Sequence, residues 1–201
     1  MTDAHSTICL GQANAAKIVD NALVERVFGT PALVGLPTVS AEVQASRDGT
    51  VVSARHDGYV APFGIAVERR IYVSASGRDV RGEDRFFADL DGGANIEAVP
   101  FALRFHLHPA VKANVSKDGA SVVLVLPDRH GWRFSARGGR VRLEDSVYLL
   151  GRGGPRRSQQ IVVVGIVGRP DRINWAFKRI DKRPTPQPAR GPVEVLPLPA
   201  P

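Results

Sequence analysis

The pair His106 and His108 combines residue types and a spacing that suit chemistry. The two histidines lie two positions apart in the run RFHLHP, and alternate residues of a β-strand point to the same face of the sheet. Two imidazoles on one face could hold a metal ion or an anion, although a metal site requires further ligands. Two polar residues on a solvated sheet face fit equally well. We interpret His106 and His108 as residues that line a glycan-binding groove, ahead of metal binding.

A second histidine, His56, stands beside a carboxylate in the run RHDGY at 55–59. A carboxylate that contacts an imidazole can orient it and raise its pKa, which would suit a general base. Neighbouring residues of a strand face opposite sides, so Asp57 is not expected to support His56 directly. Asp57-Gly58 is typical of a turn, after which Tyr59 would pack or stack. We favour this structural interpretation and keep Tyr59 as a candidate for contact with substrate.

The segment 151–157, GRGGPRR, is rich in glycine and arginine. It lacks the Gly-Lys-Ser/Thr ending of a phosphate-binding loop, and no helical pattern follows it. The segment is therefore predicted to be a long hairpin loop. Arg156 and Arg157 could reach from this loop to an anionic sugar or to another loop.

The elements that would position these residues are short strands separated by turn signals. The dipeptide at 48–49, Asp-Gly, is the strongest hairpin signal, and 76–77 and 117–119 indicate two further turns. Strands are predicted at 6–10, 23–28, 41–47, 50–55, 69–75, 79–87, 101–108, 111–116, 121–126, 132–136, 140–148, 159–166 and 173–180. Short strands in this number, without a helical period, predict an all-β fold, an antiparallel β-sandwich.

Alternation along two of these strands predicts their buried faces. In 101–108 the odd positions carry Phe or Leu, whereas 104, 106 and 108 carry Arg or His. Each large apolar side chain contributes roughly 1.5–3 kcal/mol when buried, enough to set the register. In 140–148 the same alternation places Asp145 on the apolar side. A carboxylate there would need a partner, and Arg156 or Arg157 is the candidate.

The runs RFHLHP, GWRF, LEDSVYLL and GPRRSQQIV resemble the C-terminal half of the β-domain of heparinase II/III-like polysaccharide lyases. The resemblance extends from His5 to about Arg179 and includes none of the family's catalytic helical domain. It implies an N-terminally truncated β-sandwich over 1–182. It also implies a parent enzyme of the cell envelope that cleaves acidic, uronate-containing polysaccharides such as glycosaminoglycans by β-elimination. The family's tyrosine and charge-neutralising residue belong to an (α/α) toroid, so we expect this chain to be inactive alone.

The resemblance also implies a metal ligand at His5, because the family's corresponding histidine helps to hold zinc with ligands from upstream strands. Those upstream ligands have no counterpart in this sequence, so a zinc site is expected only if they are supplied by another polypeptide. An exposed terminal histidine is the simpler interpretation of His5, and no cofactor is expected for this chain alone. The alternative to a lyase fragment is a non-catalytic glycan-binding or scaffold module.

The formal net charge of +7 and the pI of about 10.2 favour an acidic partner. Only five of the 27 basic residues are lysine, and the arginine fork binds carboxylate and sulfate bidentately. A GC-rich genome would enrich arginine as well. The expected partners are an acidic polysaccharide and the missing toroid polypeptide, with self-association through strand edges left unpaired. A nucleic-acid partner is the weakest alternative, because the aromatic content is 6% and the arginines are dispersed.

Three further features limit the interpretation. Cys9 is the one cysteine in the sequence, so no internal disulfide can form, and we expect a buried, inert thiol. The N-terminus lacks the pattern of a signal peptide, and no apolar run is long enough for membrane insertion. Seven of the fifteen prolines lie within 184–201, so 183–201 is predicted to be a disordered, proline-rich tail.

Overall fold

The computed structural model describes residues 2–19, 26, 32–88, 98–150, 154–168 and 171–180. These residues form an antiparallel β-sandwich, which confirms the fold predicted from the sequence. The strands are β1 (Ile8–Leu10), β2 (Lys17–Val19), β3 (Ala32–Val34), β4 (Val39–Ala45), β5 (Gly49–Tyr59), β6 (Ile65–Ser74), β7 (Asp79–Ala88), β8 (Pro100–His106), β9 (Lys112–Val115), β10 (Ser121–Val125), β11 (Gly131–Arg137), β12 (Arg140–Leu150), β13 (Gly154–Ile166) and β14 (Arg172–Ile180). A 3₁₀ turn covers Thr2–Ala4, and one helical turn, α1, covers Val60–Phe63.

Two sheets build the sandwich. The smaller sheet has the strand order β1-β8-β13-β12, and the larger has the order β4-β5-β6-β7-β14-β11-β10-β9. Strands β2 and β3 form a separate pair. All of these pairings are antiparallel, so adjacent strands present paired residues on the same face.

The core lies between the two sheets and is centred on Phe105 of β8. The Phe105 ring lies 4.8 Å from the ring of Trp175 and 5.2 Å from that of Phe134, both of which belong to the larger sheet. Leu103 and Ile161 are fully buried on the facing side of the smaller sheet. The alternation predicted for 101–108 is therefore correct, because the odd positions of β8 supply the core and the even positions face outward.

The predicted hairpins at 48–49, 76–77 and 117–119 are also present as β4–β5, β6–β7 and β9–β10. The prediction of a turn at Asp57-Gly58 is wrong. Strand β5 continues through both residues with a bulge between His56 and Tyr59, since Asp57 accepts the backbone N–H of Thr38 at 2.7 Å and remains part of the sheet.

Strands β12 and β13 correct two further predictions. Arg156 and Arg157 do not lie in a loop, because β13 begins at Gly154 and pairs with β12 from there to Val164. Asp145 is not buried among apolar residues. It is exposed in the middle of β12, just beyond Val141 and Leu143, which pack on the core, and its charge needs no buried partner.

Two predictions lie outside the described residues: the strand at 23–28, apart from Arg26, and the proline-rich tail at 183–201. Among the residues that the structure describes, no helix has the length and hydropathy required to cross a membrane.

Candidate functional site

A surface cleft of about 260 Å³ lies where β8, β12 and β13 meet the N-terminal 3₁₀ turn. Arg104 and His106 reach it from the polar face of β8, as the strand alternation predicts. The cleft is lined by Asp3, Ala4, Arg104, His106, Asp145, Ser146, Val147, Leu149 and Gln160. It therefore combines one guanidinium, one imidazole and an amide with a short apolar wall and two carboxylates.

His106 is held by contacts from three parts of the chain. Its Nε2 lies 3.0 Å from the backbone oxygen of Asp3, and its Nδ1 lies 3.0 Å from Oγ of Ser146. A carbonyl only accepts, so Nε2 carries the proton and Nδ1 accepts from the hydroxyl in the neutral ring. The backbone N–H of His106 donates to Oγ of Ser6. Both ring nitrogens are thus engaged, which leaves none free to bind a metal or to act as a base in this conformation.

The contact between His106 and Ser146 crosses a strand. Strand β13 lies between β8 and β12, and Gln160 of β13 is the register partner of His106. The imidazole consequently extends over β13 to reach β12. Two polar atoms of β13, Oγ of Ser158 and Oε1 of Gln160, are buried and have no hydrogen-bond partner. An unpaired buried polar atom is costly, so each of these atoms favours an internal water as its partner.

His108 lies beyond the end of β8, where it extends the same surface. Its ring is exposed and stands edge-on to the ring of Tyr148 at 5.1 Å between centroids. Its Nδ1 accepts the backbone N–H of Ala110 at 3.2 Å. Since Ser146 and Tyr148 are alternate residues of β12, they connect His106 and His108 to one face of the sheet. The structure therefore brings the two histidines to one surface, as predicted.

Arg156 and Arg157 are both exposed, but they project from opposite faces of β13. Arg156 pairs with Tyr148 and so shares the face that carries His106, whereas Arg157 pairs with Val147 on the other face. The two arginines therefore cannot act as one clamp from that strand.

The outer face of the smaller sheet carries more positive than negative charge. Strand register places four arginines and one glutamate among its described residues, namely Arg104, Arg140, Arg142, Arg156 and Glu144. No ion pair joins these arginines to a carboxylate within the described part of the chain. This face can attract an anion, since several like charges on one surface raise the local potential.

Tyr59 and Cys9 belong to the interior instead, and His56 is half-buried. The Tyr59 side chain is fully buried and its hydroxyl donates to the backbone oxygen of Ile8 at 3.0 Å. Burial raises the pKa of Tyr59 to about 12 and also raises the pKa of the Cys9 thiol. His56 packs against the Tyr59 ring at 5.7 Å, and burial lowers its pKa. Tyr59 is therefore a core residue, and the prediction that it contacts substrate is corrected.

The residues present do not fit the zinc site that the family resemblance implied at His5. His5 is exposed, and the described residues contain no cluster of three or more His, Cys, Asp or Glu side chains suited to a metal ion. A structural zinc site needs four ligands and a catalytic one needs three.

Of the nine residues that line the cleft, sequence reasoning singled out only His106 as a site residue. It missed the other eight, namely Asp3, Ser146, Gln160, Ala4, Arg104, Asp145, Val147 and Leu149. Ser146 and Gln160 approach His106 only after β8, β13 and β12 have paired, and Asp3 approaches it only after β1 has paired with β8. One local signal was available, because the alternation in 140–148 already places Ser146 on the polar face of its strand.

A family model described as heparinase II/III-like, C-terminal, matches residues 1–176. The chain belongs to this family. A curated relative of this chain is FtsZ-localized protein C of Caulobacter vibrioides (strain NA1000 / CB15N), which is 28% identical over 188 residues. The match covers 90% of this chain and 32% of the relative, so the heparinase II/III-like chain spans about a third of that protein's length.

Solved heparinases have the same fold. A heparinase III superposes with a TM-score of 0.62 at 8% identity, over 88% of this chain and 24% of that enzyme. The heparan sulfate lyase HepC from Pedobacter heparinus superposes with a TM-score of 0.61 at 10% identity, over 88% and 24% of the two chains. The heparinase II/III-like sandwich described above thus corresponds to about a quarter of each enzyme.

Proposed function

We propose that this β-sandwich serves a polysaccharide lyase-like protein as a non-catalytic module that binds acidic, uronate-containing polysaccharide. The observation that carries the proposal is the basic outer face of the smaller sheet. Arg104 and Arg156 share that face with His106 and His108, next to the unpaired Oε1 of Gln160. Arginine can bind a carboxylate or a sulfate through two parallel hydrogen bonds, and the Gln160 amide and Nε2 of His108 can add hydrogen bonds to sugar hydroxyls.

A catalytic role is not supported by the side chains that could remove a proton. β-Elimination requires a base that reaches the C5 proton of a uronate and a group that stabilises the resulting negative charge. Tyr59 is fully buried, and both ring nitrogens of His106 are engaged. With heparin, heparan sulfate or alginate we expect no growth of absorbance from an unsaturated uronate. Activity that is lost on His106→Ala substitution would overturn this part of the proposal.

Heparin-affinity chromatography tests the binding role with a control on the same strand. Arg156→Ala should lower the salt concentration at which the chain elutes, because it removes a charge from the His106 face. Arg157→Ala removes another exposed charge, from the opposite face of β13, and should have the smaller effect. Combining Arg104→Gln with Arg156→Ala should lower retention further. If the two single variants lose heparin retention equally, the assignment of binding to this face is contradicted.

A second candidate function is a scaffold module that docks on a protein assembly. It is favoured by the match to FtsZ-localized protein C over 90% of this chain. Co-sedimentation of the purified chain with FtsZ polymers tests it, with unpolymerised FtsZ as the control. Co-sedimentation combined with no retention on heparin would favour the scaffold over the glycan module, and the reverse pattern would exclude it.

A further inference from the structure

The outer face of the larger sheet is a second basic surface, remote from the His106 cleft. Strand register places nine cations and four carboxylates on it among the described residues. The cations are Arg55, Arg70, Arg81, Arg85, Lys112, Arg133, Arg137, Arg172 and Lys178, and the carboxylates are Glu42, Glu68, Asp79 and Glu83. Because the two outer faces of a sandwich point in opposite directions, a ligand on one cannot contact the other.

Strands β6 and β7 carry the carboxylates that neutralise part of this surface. Asp79 binds Arg81 through Oδ2 at 2.6 Å. Glu83 binds Arg85 at 2.6 Å and lies 3.7 Å from Arg172. These internal pairs leave little net charge in the centre of the larger sheet.

The other end of the sheet differs. Lys112, Arg133, Arg137 and Lys178 lie on β9, β11 and β14, and we name these four residues the β11 patch. The ion pairs of the described residues include none of them. Arg133 is the direct register partner of Lys178, so two cations lie opposite each other on adjacent strands.

Like charges that face each other across a strand pair are destabilising, and the carboxylates near this patch offset that repulsion only weakly. Asp79 is the register partner of Lys178 on β7, but its Oδ2 is bound to Arg81. Asp118, in the adjacent turn, is held by hydrogen bonds from the Ser116 hydroxyl and the backbone of residue 120. The Nε of Arg133 is buried and has no hydrogen-bond partner. An external anion would relieve the repulsion between Arg133 and Lys178.

We propose that the β11 patch binds a second segment of acidic polysaccharide, independently of the His106 cleft, so that one sandwich bridges two polysaccharide segments. The class of ligand rests on the proposed function, whereas the location rests on the charges of this face alone. The flat sheet and the arginine forks suit carboxylates and sulfates that recur along an extended polymer. Single-stranded nucleic acid is disfavoured, because the aromatic residues described on this face, Tyr72 and Phe87, lie outside the patch in contact with arginines.

Calorimetric titration with a short heparin oligosaccharide tests the proposal. The wild-type chain should bind two oligosaccharides, and Arg137→Gln combined with Lys178→Gln should bind one. Arg104→Gln combined with Arg156→Gln should also bind one, and the combination of all four substitutions should bind none. A matched control, Arg47→Gln with Arg129→Gln, removes two exposed charges from hairpin turns outside both faces and should keep both sites. The denaturation midpoint of each variant shows whether it has folded.

The outcomes separate the two proposals. If Arg137→Gln with Lys178→Gln behaves like the control, the β11 patch is not a site, whatever happens at the cleft. If the Arg104 and Arg156 variant keeps both sites, the cleft assignment fails and the patch is judged by its own variant. Poly-glutamate of equal charge and single-stranded DNA serve as alternative ligands. Binding of either at the patch as tightly as the oligosaccharide would overturn the assignment to polysaccharide.

Discussion

Asp84 of β7 accepts a hydrogen bond of 2.8 Å from the indole Nε1 of Trp175 on the neighbouring strand β14. Its other carboxylate oxygen accepts from Nε of Arg69 at 2.8 Å, and Arg69 also donates to the backbone oxygen of Ser6. The Asp84 side chain is 0% exposed. This carboxylate therefore links three strands of the larger sheet, and through Arg69 it connects them to the segment that leads into the smaller sheet.

Replacement of Asp84 by Ala should destabilise the fold strongly. It leaves Nε of Arg69 and the indole N–H of Trp175 without their partner, and breaking a buried ion pair costs about 3–5 kcal/mol. Urea unfolding followed by circular dichroism measures the change. Asp171→Ala removes the exposed pair with Arg172 and should cost about 0–1 kcal/mol. Similar decreases in the free energy of unfolding for both variants would contradict the role assigned to Asp84.

Replacement of Tyr59 by Phe should reduce stability without affecting glycan binding. The variant loses the hydrogen bond to the backbone oxygen of Ile8, which is worth about 1–3 kcal/mol when an acceptor is left buried and unpaired. Retention on heparin should be unchanged, because Tyr59 is inside the core. Tyr72→Phe, which removes an exposed hydrogen bond to Asp48, is the control and should cost less. Reduced heparin retention of folded Tyr59→Phe would restore Tyr59 as a binding residue.

His56 should make the unfolding free energy depend on pH. Burial lowers the pKa of His56 in the folded chain below the ordinary value of 6.5. The unfolded chain then binds more protons as the pH falls through and below 6.5, so the unfolding free energy should decrease in that range and be constant above it. Urea unfolding between pH 5 and pH 8 measures this dependence, which His56→Asn should reduce. His5→Asn, at an exposed position, is the control. If His56→Asn shows the same pH dependence of the unfolding free energy as the wild type and this control, the dependence arises from other groups.

Replacement of Gly82 by Ala should disturb the packing of Trp175. A Cβ at Gly82 would overlap the indole ring, which is held by Asp84 and cannot move aside easily. Overpacking of this kind costs about 1–3 kcal/mol. Gly77→Ala is the comparison, because Gly77 has φ of 65° but open space around it, so its cost of about 1–2 kcal/mol comes from the backbone. Tryptophan fluorescence should change in Gly82→Ala only, and an unchanged spectrum would contradict the overlap.

Sequence patterns predicted those parts of the fold that depend on near neighbours. The alternation in 101–108 correctly placed Phe105 on the buried face and His106 on the outer face, and the Asp-Gly dipeptide at 48–49 correctly indicated a hairpin. Both features depend on a few consecutive residues. The same local rules failed at Asp57-Gly58, where the backbone of Thr38 binds Asp57 and keeps it in the sheet. A contact from nineteen positions away is invisible to a local pattern.

The sequence by itself determined an arginine-rich, all-β chain with His106 and His108 on one polar strand face. The tertiary structure decided how those residues are used. It placed β13 between β8 and β12, so that Ser146 and the backbone of Asp3 engage both nitrogens of His106. It also placed Arg156 and Arg157 on opposite faces. Such pairings depend on which distant strands bury apolar surface together. The free energy of that burial is distributed over the whole core and does not come from the residues of the site.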